Sequence, residues 1–325
     1  MVKGPTRLRA PANHIKLPWR AEELCPCESG RRYGQCCLQP NGSTRVLLPR
    51  LTPPDPLTGY SNPRCYLNST RDCSAETSRE HFISQSVLEI TKTFGLRGLP
   101  WQKLGEEIPN YGIKALASRI LCTRHNSALA PLDTAAARFY RILMQIRDEL
   151  ARPVQYDRGR WFIASGEAIE LWTIKTLCGL FFSKIASKDG ERLLTDHSLD
   201  IGIFDRAIRG MPLPDHCGMW FRSSVGKVEH YVAYAPLSST VDKMVIGIRA
   251  KLFFIEVDTF VRSTDLKFTL QQKQQLFRPW LLQFSNRWRT HNLLLTWPGP
   301  MRNVAKLQYN IEADPSEMTP APPLS

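Results

Sequence analysis

The stretch Cys25-Pro26-Cys27-Glu28-Ser29-Gly30-Arg31-Arg32-Tyr33-Gly34-Gln35-Cys36-Cys37 holds four thiols in two close pairs separated by eight residues. Structural zinc takes four ligands at tetrahedral corners, and cysteine thiolates are among its preferred donors. Two tight pairs joined by a short loop bring four sulfurs together at little cost in loop closure. Gly30 lets that loop turn, and Tyr33 can pack over the small module. A segment so short buries no core of its own. Bound metal would supply its stability, about 10–16 kcal/mol by analogy with zinc-finger peptides.

Outward from this module the composition changes on both sides. Residues 1–20 are basic and proline-containing and are expected to be flexible, whereas 41–63 carry enough prolines to disfavour helix and central strand and read as a linker. Residues 21–40 are thus expected to form a compact zinc knuckle. Its pattern of Cys-Pro-Cys, Ser-Gly, an aromatic residue and a final Cys-Cys pair, within residues 25–38, resembles the SEC-C motif. Glu28 stands where that family usually has glycine. The resemblance implies Zn²⁺ on Cys25, Cys27, Cys36 and Cys37, and a protein- or ribosome-docking role. It identifies a metal and no reaction.

A second constellation follows. Cys65 and Cys73 precede Glu80-His81, and after about forty residues come Cys122 and His125 at Cys-x-x-His spacing, with Asn126 next. Together Cys65, Cys73, Cys122 and His125 would make a Cys3His zinc site joining two distant segments. The phrases SREH and LC-x-x-HN-S-x-L, within residues 64–134, resemble the HNH endonucleases. That family's ββα-metal core holds one catalytic divalent ion, and in many members a zinc site braces it. The resemblance implies His81 as general base, with Glu80 and Asn126 holding Mg²⁺ or Mn²⁺ while a DNA phosphodiester is hydrolysed. A neutral histidine suits proton abstraction near pH 7, and a hard divalent ion offsets charge on the phosphate and the leaving oxygen.

Two features strain this reading. Adjacent strand residues point to opposite faces, so Glu80 and His81 can share an ion only where the backbone bends. Lys114 stands where the family usually carries an asparagine. Lys114, Arg119 and Arg124 are candidate phosphate contacts. Taken singly, the same residues have plainer readings: Glu80 in a helix cap starting near Ser78, Asp133 as an N-cap, and Asn126 as a turn residue.

The 325 residues carry a formal charge of +13 and are 42% hydrophobic, which suits a globular chain with a polyanionic partner, DNA above all. The N-terminus lacks the apolar segment of a secretory signal. The longest apolar candidate, from Ile174 to Ile185, is interrupted by Lys175 and Lys184, so no membrane span is expected. The expected location is cytoplasmic, where nine cysteines stay reduced.

Apolar periodicity predicts a long helix over TAAARFYRILMQIRDELA within a 64–152 module, and a buried helix over GEAIELWTIKTLCGLFFSKIAS. The runs HYVAYAPL, KMVIGIRA, LFFIEVDTFV and LLLTWP read as strands of an antiparallel sheet in a 153–310 domain, followed by a disordered tail over 311–325. The expected class is α+β: a zinc knuckle, a zinc-braced ββα module, and a C-terminal domain of mixed helix and sheet. The function expected from it is a metal-dependent HNH-type endonuclease acting on DNA. The alternative is a non-catalytic zinc protein that binds nucleic acid, a ribosome or another protein.

Overall fold

The computed structural model describes residues 8–11, 17–90, 95–97, 116–151, 159–183, 187–188, 191–192, 196–222, 231–239, 241–262, 275–286, 288–299 and 303–310. The fold is organised around α3 (Gly166–Phe182), the helix predicted from the apolar run. Ser165 caps it by accepting from the Ala168 N–H, and from Gly166 to Leu180 nearly every residue is buried. A helix apolar on all sides has to be covered on all sides. It is covered by α2 (Thr123–Ala151), by α4 (Gly202–Ile208) and by strands of both main sheets.

One sheet has six strands in the order β12 (Gln275–Phe277), β8 (Gly218–Arg222), β11 (Ile255–Phe260), β10 (Val245–Leu252), β9 (Tyr231–Ser238), β3 (Gly95–Arg97). It is antiparallel except for the β3–β9 edge. The other has five strands in the order β1 (Leu8–Pro11), β15 (Asn303–Asn310), β13 (Leu281–Ser285), β14 (Thr290–Thr296), β5 (Trp161–Ser165). Two of its pairings, β13–β15 and β14–β5, are parallel. Of the four runs expected in one antiparallel sheet, three pair antiparallel as β9, β10 and β11, while LLLTWP falls in this separate, mixed sheet. Two residue pairs, β6 (Ser187–Lys188) and β7 (Glu191–Arg192), form a minor ribbon.

The segment that carries Cys65, Cys73, Cys122 and His125 supplies another two-stranded sheet. β2 (Thr77–His81) runs antiparallel to β4 (Ala117–Cys122), and α2 follows β4 without a break, giving the order strand–strand–helix. A short helix, α1 (Gln85–Ile90), packs on α2.

Several expectations change. Leu8–Pro11, placed in the flexible N-terminus, is an edge strand on β15. Residues 41–63 form no helix or strand but lie on the body, burying Leu51 and Asn62. The boundary at 152/153 does not divide the core: one cluster runs from Leu51 through α2 and α3 to Trp297, and β3 from the first segment edges the sheet of the second. α2 begins at Thr123 and passes through Pro131, so Asp133 is a helix-interior residue and not an N-cap. Ser78 and Glu80 lie on a strand and not at a helix start. The tail 311–325 lies outside the described residues.

Within α3 two charged side chains are buried, and each has its counter-ions. Glu170 takes two hydrogen bonds from Arg278, at 2.9 and 2.7 Å, and one from the Met219 N–H at 2.7 Å. This close approach needs a glycine at position 218: φ is +120°, and a Cβ there would lie 2.5 Å from the Glu170 carboxylate. The other buried charge is Lys175.

Candidate metal centres and a buried lysine

The thiols of Cys25, Cys27, Cys36 and Cys37 lie within 4.8 Å of one another. Tetrahedral Zn–S bonds of about 2.3 Å separate neighbouring sulfurs by about 3.8 Å. The observed separations are 3.4 Å for Cys27–Cys36 and 3.8 Å for Cys36–Cys37. The hydrogen bond with Cys37 draws the Cys27 thiol down to about 4, against the opposing effect of burial. Its counterpart Cys37 is pushed up by the same bond and by burial. Sulfurs this close compete for protons, a conflict that a bound cation removes. The Cys36 sulfur also has Ser29 Oγ at 3.1 Å and Arg31 Nη2 at 3.4 Å, donors suited to a thiolate.

The knuckle is docked on the five-stranded sheet. Cys25, Tyr33 and Cys37 share a small core with Ile163 of β5 and Leu294 of β14. Trp19 packs on Tyr33 at 5.7 Å and on Trp161 at 6.3 Å, between ring centroids. Arg45 pairs with Glu167 at 3.0 Å, and the Val46 N–H donates to Thr296 Oγ1 at 3.1 Å.

The second group is assembled from the loop before β2, the end of β4 and the first turn of α2. Cys65, Cys73 and Cys122 lie 3.6, 3.7 and 3.1 Å from His125 Nδ1, close to the roughly 3.6 Å between S and N ligands of one tetrahedral zinc. His125 Nε2 is 3.1 Å from Thr70 Oγ1, whose own hydroxyl donates to the Leu67 carbonyl at 2.8 Å. Thr70 therefore accepts from Nε2–H, which leaves the Nδ1 lone pair for a metal and fixes the ring. All four ligands are at most 1% exposed. Cys122 is drawn down to about 2 by its hydrogen bond with Cys65, burial opposing, while Cys65 is pushed up by the same bond. Both groups fit zinc. Among the described residues they alone bring together three or more Cys, His, Asp or Glu side chains in metal-binding geometry.

Glu80, His81 and Asn126 are arranged differently. The β2–β4 register shifts by one residue between Ser78 and Glu80, a bulge that places Arg119 and Ile120 opposite Arg79. Even so, Glu80 faces the core while His81 is half-exposed. The Glu80 carboxylate is 2.6 Å from Lys175 Nζ, which also lies 2.8 and 2.7 Å from the two oxygens of Asp133. Ser84 donates to Asp133, and Trp172 Nε1 donates to Ser84 Oγ at 2.6 Å. Burial pushes Glu80 above the usual carboxylate range, with Lys175 opposing. Burial alone would lower Lys175, but Asp133 and Glu80 together outweigh it and raise its pKa, so the ammonium stays charged. Lys175 does not fully offset the burial of Glu80, and the nearby Asp133 charge adds to the rise. What α2 brings to Glu80 is Asp133, two turns beyond the half-buried Asn126.

Arg119 is exposed at the bulge, beside exposed Arg79. Arg124 turns inward: it bonds Asp72 at 2.9 Å and the carbonyls of Pro54 and Pro56, the latter at 2.8 Å, clamping the proline-rich segment. Lys114 lies outside the described residues. The acidic pair Glu256 and Asp258 is neutralised by Arg222 and Arg249. Of the basic C-terminal residues, Arg289 is buried, and Arg287 and Arg302 lie outside the described residues. Sequence reasoning missed Lys175 and Thr70. Lys175 was visible only as an interruption of an apolar run, and Thr70 carried no spacing signal.

The SEC-C motif family model matches residues 23–39. This is the stretch that carries the first four thiols. Nothing among the curated proteins matches the chain, and no solved structure does. No described helix is long and apolar enough to cross a membrane.

Proposed function

We propose that this chain is a zinc-braced nucleic-acid-binding protein, built on an HNH-like strand–strand–helix module that does not cut. The observation that carries this reading is Lys175. An HNH-type ion would need the Glu80 carboxylate, and an ammonium from the central helix already holds it at 2.6 Å, with Asp133 on the other side. Removing that lysine from its partners would expose a buried charge, which is costly. Binding is supported by the formal charge of +13 and by Arg79 and Arg119, placed side by side on the outer surface of the ribbon. Guanidinium groups on an outer face are suited to hydrogen-bond phosphate oxygens.

A second reading, a metal-dependent endonuclease acting on DNA through His81, is favoured by the half-exposed position of His81 beside Glu80. One experiment separates the two: gel shift and supercoiled-plasmid nicking on the same zinc-loaded preparation, with Mg²⁺ and with Mn²⁺. Salt-sensitive binding without nicking, weakened in Arg79→Ala/Arg119→Ala, is the expected result. Nicking that disappears in His81→Ala at unchanged zinc content would establish the nuclease instead. Failure to bind DNA or RNA at all would leave neither reading standing.

A further inference from the structure

The two zinc groups differ in what can reach them. Between the knuckle, α2 and the start of α3 lies an open cleft of about 550 Å³, lined by Cys27, Cys36, Leu47, Pro131, Ala135 and Ser165 among others. Cys27 and Cys36 are half-buried and line it; Cys37 also borders it but is buried, and Cys25 is buried and not part of the lining. The exposed pair is also close, at 3.4 Å between sulfurs. Cys36–Cys37, at 3.8 Å, are chain neighbours, and a disulfide there would close a strained eight-membered ring. No such cleft residue belongs to the second group, whose ligands are all buried.

We propose that, with zinc on both groups, Cys27 and Cys36 form an oxidation site that releases the first zinc. A peroxide takes two electrons from the two thiolates. The S–S bond forms, the O–O bond breaks, and two protons are taken up to give two waters. Zinc is left with only Cys25 and Cys37 and dissociates as Zn²⁺. The contacts made by Trp19, Arg45 and Val46 then hold a module whose own fold has lost its metal. A thiol reductant and added zinc reverse the step.

The test uses the full chain carrying two equivalents of zinc, treated with graded hydrogen peroxide. Zinc release is followed with a chromogenic chelator, and disulfides are mapped by peptide mass. The expected result is one zinc released about tenfold faster than the other, together with a Cys27–Cys36 disulfide. An Ala135→Trp variant that still binds two zinc ions should slow that release by filling the cleft. Simultaneous loss of both ions, or first disulfides involving Cys65, Cys73 or Cys122, would overturn the proposal. So would a full set of intact Cys27 and Cys36 thiols after the first zinc has left.

Discussion

The knuckle and the Cys3His centre use the same metal chemistry at opposite positions in the fold. The first gathers its ligands from thirteen consecutive residues and then attaches to the body through Trp19, Arg45 and Val46. The second draws its ligands from residues 65 to 125 and lies inside the main core, its three cysteines belonging to the same buried cluster as Tyr66, Leu121 and Leu129. A local site can be lost without dissolving what it rests on. A site that joins distant segments is part of the core itself, so losing it removes metal ligation and packing together.

The strongest break in this comparison is Cys122→Ser set against Cys37→Ser. Cys122→Ser should abolish cooperative folding, since the site contributes on the order of 10 kcal/mol to a domain with a typical margin of 5–15 kcal/mol. Cys37→Ser should lose one zinc yet keep a cooperative melt of the main body, read by calorimetry alongside metal analysis. Next comes the core's ionic bridge. Lys175→Met leaves buried Glu80 and half-buried Asp133 without a cation and should cost about 3–5 kcal/mol in urea unfolding. Adding Glu80→Gln and Asp133→Asn should recover most of that loss.

Alkaline pH probes the same core. Lys175 is raised from 10.5, and Tyr66 and Tyr140 are raised from 10.0 because burial disfavours the phenolate. The folded chain therefore keeps protons that the unfolded chain releases. Stability should be intact below pH 10 and fall above it, by about 1.4 kcal/mol per pH unit for each group, seen as tyrosine ionisation coinciding with loss of helix signal. A milder change sharpens the contrast between the metals. Thr70→Val should weaken zinc at the second group by about 10–100-fold and leave the first unchanged, measured by chelator competition. At the knuckle seam, Arg45→Ala breaks a partly exposed pair and should cost under about 1 kcal/mol.

Much of the metal chemistry could be read from the chain because cysteine spacing is a local signal. The eight candidate ligands were all named from the sequence, the knuckle thiols and Cys122-x-x-His125 by their spacing and the widely separated Cys65 and Cys73 only as their complement. The helix and strand runs followed from apolar period. What could not be read depends on pairs brought together by the fold. Lys175 meets Glu80 and Asp133 from 95 and 42 positions away, and an isolated lysine in an apolar run looks only like a flaw. Arg124 has the same composition signal as Arg119, yet one clamps a proline segment and the other faces solvent. The parallel pairing of β5 and the strand at Leu8–Pro11 rest on partners over a hundred residues distant.

The docking of the knuckle on β5 and β14 also sets an order in time. Synthesis delivers the four thiols by Cys37, but Leu294 and Thr296, against which the module packs, emerge about 260 residues later. At 5–20 residues per second the nascent knuckle would hold its metal alone for roughly 13–50 s before its seat exists. A module whose stability comes from its own ion can wait that long; one dependent on packing could not.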